Sequence, residues 1–302
     1  MVLDITYKNE GRDLCKMYKE VFNPSQIMTE KYFEFHHTYN ETPPSVEFHQ
    51  HPFYEIYFFL GGNVNYIIEG KNYKLRPGDL LLTSNLDIHR PVVHPGKPYE
   101  RIVIWMVDDF FDHLKDFYGE DLTTCFTDAA RKDYRLIRPD EQNILHLKQI
   151  CSQISRAKHS GEIGSAALSS AYLTEFLVYM SRAYYDAPAS IKHDVIENEK
   201  VNQVVQYINE NLTEDFSLDS LAARFYISKY YLSRQFKQFT GLSIYQYIMK
   251  KRLIVSRNLL RDGLAVMDAC LQCGFGDYSN FLKAFKREFG MTPSDYMNAG
   301  IS

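Results

Sequence analysis

The sequence predicts a multidomain α+β protein, with a β-sandwich or small barrel first and an all-helical part last. Between Tyr32 and Val107, short β-rich runs such as FYEIYFFL and RIVIWMV recur roughly every ten residues and are separated by turn residues. From about Pro139 the apolar residues recur instead with the period of a helix. The chain of 302 residues is long enough for two or three separate cores.

Residues 1–138 are expected to form the barrel, with turns at Gly61-Gly62-Asn63 and Pro77-Gly78-Asp79. Residues 139–185 are expected to be helical and to pack on the barrel or on a second copy of the chain. Their apolar faces contain Ile144, Leu147, Cys151 and Ile154, then Leu173, Phe176, Leu177, Met180 and Tyr184. The polar residues 186–199 are predicted to be a linker.

Residues 200–302 are predicted to be all helical, because potential N-cap residues precede their apolar runs and glycines follow them. The apolar stripe of the first helix consists of Val201, Val204, Val205 and Ile208. The residues that can cap the later helices at their N-termini are Ser217, Ser228, Ser243 and Asp277. Gly241, Gly263 and Gly290 follow helices, and Thr292-Pro293 opens a last short one.

Within this helical part, two segments repeat the layout of a short helix, a tight turn and a second helix. The first runs from Leu218 to Phe239, and the second from Val266 to Phe289. Each second helix has an apolar face that can anchor it and a polar face that can reach base edges in the major groove of DNA. The candidate DNA-binding residues are Tyr230, Ser233, Arg234, Lys237, Tyr278, Ser279, Asn280 and Lys283.

The distribution of charge supports a polyanionic partner for the helical part only. The whole chain has a net charge of −4, but residues 195–302 contain 13 Lys/Arg and 11 Asp/Glu. Lys229 to Arg257 contains seven basic residues and no acidic one. Such a stripe is typical of a surface that faces phosphates. The predicted connecting helix of about 18 residues would span about 27 Å, close to the ~34 Å of one duplex turn.

Residues 197–297 resemble the DNA-binding domain of the AraC/XylS family of transcription regulators. The similarity lies in the strings SLDSLAARFYISKYYLSRQFKQFTGLSIYQYIMKKRL and CGFGDYSNFLKAFKREFGMTPSDYM. Tyr226 departs from the usual Gly of the first turn and implies a less favourable backbone angle, and Cys270 replaces a customary Ala. The resemblance implies double-stranded DNA and RNA polymerase as partners, a homodimer, transcriptional activation and a small-molecule effector, possibly a carbohydrate.

A second resemblance concerns the barrel. The spacing His49-x-His51-x₃-Glu55-x₆-Gly62, followed by Pro77-Gly78-Asp79 and His89, is similar to the paired motifs of the cupin jelly-roll. The candidate effector-binding residues are His49, His51, Glu55, Tyr57, His89 and Trp105. Strand alternation points His49 and His51 to one side, where Glu55 and His89 could complete a site for iron, manganese or zinc. Because regulators of the resembled family usually bind a metabolite there, we expect no metal and no cofactor.

Two functional hypotheses follow from these residues. The first is a sequence-specific DNA-binding regulator, controlled by a small metabolite in the barrel and without enzymatic activity. The alternative is a metal-dependent cupin enzyme, such as a dioxygenase or isomerase, fused to DNA-binding helices. A purely structural adaptor fits poorly, because it would not need two base-facing helix surfaces. The sequence contains no Ser-His-Asp motif, phosphate-binding glycine loop or nucleotide fingerprint that would support other catalysis.

Composition favours a cytoplasmic protein. No run approaches ~20 apolar residues, so we expect no membrane span, and the N-terminal residues do not read as a signal peptide. The cysteines are odd in number and scattered, which suits reduced thiols: Cys15, Cys125, Cys151, Cys270 and Cys273. Cys270 and Cys273 form a C-x-x-C pair, but with no second pair nearby we expect neither zinc nor redox chemistry there.

Overall fold

The structure is a computed structural model that describes residues 27–42, 45–186 and 194–298. Cys15, residues 187–193 of the predicted linker and the first 26 residues of the predicted barrel lie outside the described residues. The chain divides into two compact units. The second unit contains residues 67–72 together with those from Ile196 onwards, and the first contains the rest. Each unit is described by itself below.

Two sheets make up the β-rich part, as predicted. The strands are β1 (Phe33–Asn40), β2 (Tyr54–Gly61), β3 (Val64–Ile68), β4 (Lys71–Lys74), β5 (Leu80–Thr83), β6 (His89–Val93), β7 (Tyr99–Met106), β8 (Leu136–Ile137) and β9 (Val195–Ile196). One sheet has the order β1-β7-β2-β5-β8 and the other β6-β3-β4-β9. In the first sheet, β7 pairs antiparallel with β1 and with β2, so Trp105 lies opposite both Glu34 and Glu55.

Alternation along the strands gives the five-stranded sheet two different faces. On one face, residues such as Ile56, Ile102 and Ile104 belong to the main hydrophobic core of the first unit. On the other face, alternate residues such as Tyr57 and Arg101 line the cavity described below. Trp105 lines this cavity and also belongs to the core cluster, so the core and the cavity wall meet at that residue.

Four helices contribute to the core of the first unit: α1 (Asp108–Tyr118), α2 (Thr124–Arg131), α3 (Glu141–Ser160) and α4 (Ser165–Asp186). Helices α3 and α4 match the predicted helical region, and most of its predicted apolar faces are buried. Helices α1 and α2 were not predicted, since they fall within the stretch assigned to the barrel. Helix α1 is nevertheless amphipathic, with Phe110 and Phe111 buried among acidic neighbours.

The second unit contains α5 (Glu199–Glu210), α6 (Leu218–Arg224), α7 (Lys229–Thr240), α8 (Ile244–Arg261), α9 (Val266–Gln272), α10 (Tyr278–Phe289) and α11 (Pro293–Asn298). The predicted N-caps are confirmed, because Ser217, Ser228, Ser243 and Asp277 each accept a backbone N–H bond from the first turn of their helix. The predicted apolar stripe of α5 is also confirmed as buried. Gly241 and Gly290 follow α7 and α10 in the left-handed conformation.

Three further observations concern features named from the sequence. Tyr226 has the unfavourable backbone angle that its position implied, with φ at 55°. Cys270 and Cys273 are buried, free thiols, and burial raises the pKa of Cys273 to about 12, so neither is a reactive thiolate. Among the described residues, no helix is both long and apolar enough to cross a membrane.

Candidate effector cavity and DNA-binding surface

A cavity of about 270 Å³ lies within the first unit, between the two sheets. Its walls contain Ile27, Thr29, Glu30, Glu34, His36, Thr38, Val46, His49, Glu55, Tyr57, Tyr66, Pro91, Tyr99, Arg101, Val103 and Trp105. Four of the six predicted effector-binding residues are among them: His49, Glu55, Tyr57 and Trp105. The remaining two, His51 and His89, are buried directly beside His49.

Sequence reasoning missed several polar residues of this wall. They are Glu34, His36, Thr38, Tyr66, Tyr99 and Arg101. The signal that could have found them is alternation along one strand, because every second residue of β7 from Tyr99 to Trp105 faces the cavity. On an exposed sheet the same pattern would indicate a solvent-facing side, so alternation alone does not identify a cavity.

Glu55 is a buried carboxylate of the cavity wall with three hydrogen-bond partners. Its Oε2 accepts a hydrogen bond from Trp105 Nε1 at 2.8 Å, and its Oε1 accepts one from Tyr66 Oη at 3.1 Å. His51 Nε2 lies 3.3 Å from Oε2. Burial alone would raise the pKa of this carboxyl, but the hydrogen bond with His51 and the neighbouring imidazoles hold it well below its usual range. Glu55 is therefore a fixed carboxylate.

Another part of the wall combines aromatic rings with a buried cation. The hydroxyls of Tyr57 and Tyr99 share a hydrogen bond of 2.6 Å, and burial raises the pKa of both phenols. The Arg101 guanidinium lies 4.0 Å from the Tyr99 ring centroid and donates a hydrogen bond to Asn40. Thr38, which faces Arg101 across the β1–β7 pair, has a buried Oγ1 without a hydrogen-bond partner among the described residues.

Three histidines meet at one end of the cavity. His49 and His89 form an isolated β-bridge, with reciprocal backbone hydrogen bonds of 3.1 and 3.0 Å. This bridge brings their rings to 4.3 Å between centroids, and the His51 ring lies 4.9 Å from that of His89. Burial, then the charges of His89 and His51, lowers the pKa of His49 to about 3, so its imidazole is neutral at neutral pH.

The donor set of this cluster fits a transition-metal ion. One ligand atom from each of His49, His51 and His89 lies within 4.8 Å of the other two, and the Glu55 carboxylate is adjacent. Imidazole nitrogens with a carboxylate are ordinary ligands of first-row divalent metals. The four residues named in the sequence as possible metal ligands are thus brought together.

The second motif of the barrel has a structural role. Asp79 is buried and accepts two hydrogen bonds of 2.7 Å from the Arg138 guanidinium. Gly78 has φ at 101°, and a Cβ there would lie 2.4 Å from Ile144 Cδ1 on α3. Pro77-Gly78-Asp79 therefore ties the sheet to the helices and does not line the cavity.

In the second unit, all eight predicted DNA-binding residues are exposed on α7 and α10. Each helix is anchored from its other side by fully buried residues: Leu232 and Phe236 in α7, and Phe281 and Phe285 in α10. Helix α8, which connects the two halves, has the predicted 18 residues. Arg234 and Lys283 occupy corresponding positions in the two helices and point into solvent.

Known proteins resemble the chain in both regions. A family model described as an AraC-like ligand binding domain matches residues 34–177, and one described as a helix-turn-helix domain matches residues 221–299. Similar curated proteins include the HTH-type transcriptional activator RhaS of Salmonella schwarzengrund, 27% identical over 82% of this chain and 86% of the relative. RhaS of an Enterobacter species is 28% identical over the same shares. Among solved structures, the DNA-binding domain of the transcriptional factor AdpA bound to a target DNA is 29% identical over 34% of this chain and 93% of that one, with a TM-score of 0.33.

Proposed function

The chain belongs to the AraC/XylS family of ligand-regulated, DNA-binding transcription regulators, and from this premise we propose how its own residues carry out that function. The barrel cavity binds a small polyhydroxylated effector, and the polar faces of α7 and α10 read the operator. The observation that carries the proposal is the presence of both halves in one chain: a cavity lined by aromatic and polar side chains, and two anchored helices with exposed polar faces.

The composition of the cavity supports a sugar or a related compound as effector. Aromatic rings such as Tyr57 and Trp105 can cover the C–H faces of a pyranose, while carboxylate, imidazole and guanidinium groups can bond its hydroxyls. The volume of about 270 Å³ suits a molecule of monosaccharide size. Trp105 is the only tryptophan of the chain and lies in the wall, so its fluorescence is a direct reporter for a screen of sugars.

On DNA, we assign base contacts to the first turns and outward faces of α7 and α10. Arg234 and Lys283 are suited to guanine, Asn280 to adenine, and the exposed tyrosines and serines to phosphates or either base. By analogy with the activators that resemble it, we propose that the bound protein activates transcription through RNA polymerase. The protein acts on DNA in the cytoplasm.

Replacing Arg234 tests this assignment. Arg234→Ala should weaken operator binding by about 1–3 kcal/mol and relax the preference at one or two base positions, because a bidentate contact to guanine is lost. Binding of a labelled operator and of an unrelated duplex is measured by fluorescence anisotropy at several salt concentrations. The unrelated duplex is the control and should change little. An equal loss on both duplexes would identify Arg234 as a phosphate contact instead.

We further propose a homodimer formed through α3 and α4. These helices carry large apolar side chains that remain exposed in the single chain, including Leu145 and Leu168. Sedimentation of the full chain at micromolar concentration measures the mass directly. A dimer that becomes a monomer in Leu145→Glu supports this interface, and a monomeric wild-type chain contradicts it.

Catalysis is not part of the proposal. Both curated relatives described above are named as transcriptional activators, and hydrogen bonds from Tyr66 and Trp105 hold the Glu55 carboxylate of the cavity wall in place. The cluster of imidazoles is the observation that favours the alternative of a metal-dependent enzyme. Turnover of a bound sugar, followed by mass spectrometry of the ligand after incubation with metal-supplemented protein, would support that alternative.

A further inference from the structure

Residues 67–72 form a hairpin tip, which consists of the turn between β3 and β4 and the adjoining ends of both strands. This tip belongs to the second unit. Its two turn residues, Glu69 and Gly70, both have a positive φ, at 49° and 85°. A two-residue hairpin turn of this kind favours Asn or Asp before the Gly, and a glutamate there has a strained backbone. The presence of Glu69 therefore indicates a requirement for its side chain.

The Glu69 carboxylate is buried and bonds to two helices of the second unit. Its Oε2 accepts hydrogen bonds from the Tyr247 hydroxyl and from Asn209 Nδ2, the latter at 3.2 Å. Lys251 Nζ lies 3.3 Å from Oε1, and the side chains of Lys251 and Glu69 are only 7% and 4% exposed. Asn209 lies on α5, whereas Tyr247 and Lys251 lie on α8. One carboxylate thus links α5 with α8.

The rest of the tip packs on the same helices. A Cβ on Gly70 would lie 3.4 Å from Thr240 Cγ2 at the end of α7, and 3.9 Å from two valines of α5. Lys71 Nζ pairs with Glu197 Oε2 at 3.1 Å. The helix-turn-helix family model begins only at residue 221. The DNA-binding unit of this chain therefore includes a segment that lies far earlier in the sequence.

The buried pair of Lys251 and Glu69 has a role other than DNA contact. Lys251 is one of the seven basic residues between Lys229 and Arg257, but its buried ammonium does not face phosphates. A buried charge that loses its partner is strongly unfavourable, so each of the two residues depends on the other. A displacement of Glu69 therefore disturbs α8, the helix that connects the two halves of the DNA-binding surface.

The strand before the tip also contributes to the effector cavity. Tyr66, three residues before Glu69, lines the cavity and donates a hydrogen bond to Glu55 Oε1 at 3.1 Å. Trp105 donates to the other oxygen of that carboxylate at 2.8 Å. The rise per residue of an extended strand is nearly fixed, so a shift of Tyr66 is carried along β3 to Glu69.

We propose that Glu69 is the positioning residue through which the effector cavity and operator binding affect each other. Occupancy of the cavity moves Tyr66, β3 moves the tip, and the bonds of Glu69 to α5 and α8 change the placement of α8. Helices α7 and α10 follow, because α8 connects them. This coupling rests on the effector cavity and the operator contacts proposed above. It is reciprocal, so operator binding alters the cavity by the same coupling free energy.

Reciprocity allows a test that needs no effector. The full chain is titrated with an operator duplex that the wild-type chain has selected from a random pool, and Trp105 emission is recorded while anisotropy gives the operator affinity. Saturating operator should change Trp105 emission, because Trp105 is the only tryptophan and bonds to Glu55 in the cavity wall. Unchanged emission at saturating operator overturns the coupling alone. A chain that selects no duplex overturns the operator contacts, and the coupling with them.

Glu69→Asn tests the tip itself. Asparagine suits the turn, so the hairpin keeps its backbone, but the shorter uncharged side chain loses the pair with Lys251. The Trp105 response to operator should disappear in this variant. If the single variant does not fold, Glu69→Asn/Lys251→Met decides, because removal of both charges of a buried pair is often tolerated. The double variant should bind operator without any Trp105 response.

A matched control separates this coupling from a purely structural role. Glu210→Gln removes the charge of an exposed carboxylate on α5, which accepts a hydrogen bond from Gln206 of the same helix, and it should keep the full Trp105 response. A Glu69 variant that binds operator more weakly but shows the full Trp105 response at saturation would identify Glu69 as a structural residue only. That outcome, or a full response in the double variant, overturns the proposal.

Discussion

The two helix-turn-helix halves of the second unit have the same backbone conformation at the turn but place different residues there. In each half the second residue after the first helix adopts a left-handed conformation: Tyr226 with φ at 55°, and Gly274 with φ at 86°. The hydrogen bonds around them correspond one to one. Ile227 N bonds to Ala222 O at 3.0 Å, as Phe275 N bonds to Cys270 O at 3.1 Å.

What surrounds each turn explains the difference. A Cβ on Gly274 would lie 2.4 Å from Leu212 O and 2.8 Å from Thr213 Cα, so the second turn is pressed against the chain after α5. Arg252 holds that segment by donating to Leu212 O at 2.8 Å. The Tyr226 side chain is 93% exposed. The left-handed position of such a turn thus requires glycine when other backbone atoms pack against it. It tolerates a side chain when that side chain can extend into solvent.

The largest test of this comparison is Gly274→Ala. The methyl group meets backbone atoms that cannot rotate away, and the alanine must also adopt a positive φ. We expect a loss of about 3 kcal/mol or more in the free energy of unfolding of the helical unit, measured by far-UV circular dichroism in urea. Gly276→Ala is the control, because a Cβ there has no atom within 4 Å, and it should change stability little.

The helix caps give a second contrast of intermediate size. Ser217 forms a capping box with Ser220 at the start of α6, whereas Ala265 begins α9 without a side-chain cap. Ser217→Ala should cost about 1 kcal/mol of unfolding free energy, and Ala265→Ser should gain a fraction of that. Urea unfolding of both variants measures these two changes in unfolding free energy. A loss of stability in Ala265→Ser would show that a serine cap does not stabilise α9 as it stabilises α6.

The smallest expected effect is at the first turn. Tyr226→Gly removes the strain of a left-handed side chain, and the greater freedom of glycine in the unfolded chain offsets part of the gain. We expect a net stabilisation of about 0.5 kcal/mol, seen as a higher urea midpoint. Tyr226→Ala keeps the Cβ and should bring no gain. A destabilised Tyr226→Gly would mean that the exposed ring contributes to the fold.

Much of the helical unit could be predicted because its signals are local. A cap such as Ser228 bonds to a backbone N–H three residues away, and the apolar period of α10 follows from helix geometry alone. The repeated layout then indicated that Arg234 and Lys283 are exposed at corresponding positions. The assignment of individual base contacts remains a prediction, because those contacts form only between the helices and a DNA duplex.

The cavity was predicted less completely, since its members are distant in sequence. His49, Glu55 and His89 were recognised from their spacing, but Arg101 and Thr38 were not. Polar residues on a strand normally mark a solvent-facing side. Their enclosure depends on a second sheet, which contributes Tyr66 and Pro91 to the opposite wall. Helices α1 and α2 were missed because the stretch after β7 was assigned to the barrel as a whole.

The sequence by itself determined the fold class, the helix boundaries of the second unit and the pairing of its two halves, since each depends on interactions within a few residues. Only the tertiary structure decided which alternating side of β7 lines a cavity, and that the rings of His49, His51 and His89 meet beside it. Those features arise where segments far apart in the chain meet. Burial there removes the water that would otherwise satisfy every polar group, so the position of each partner becomes decisive.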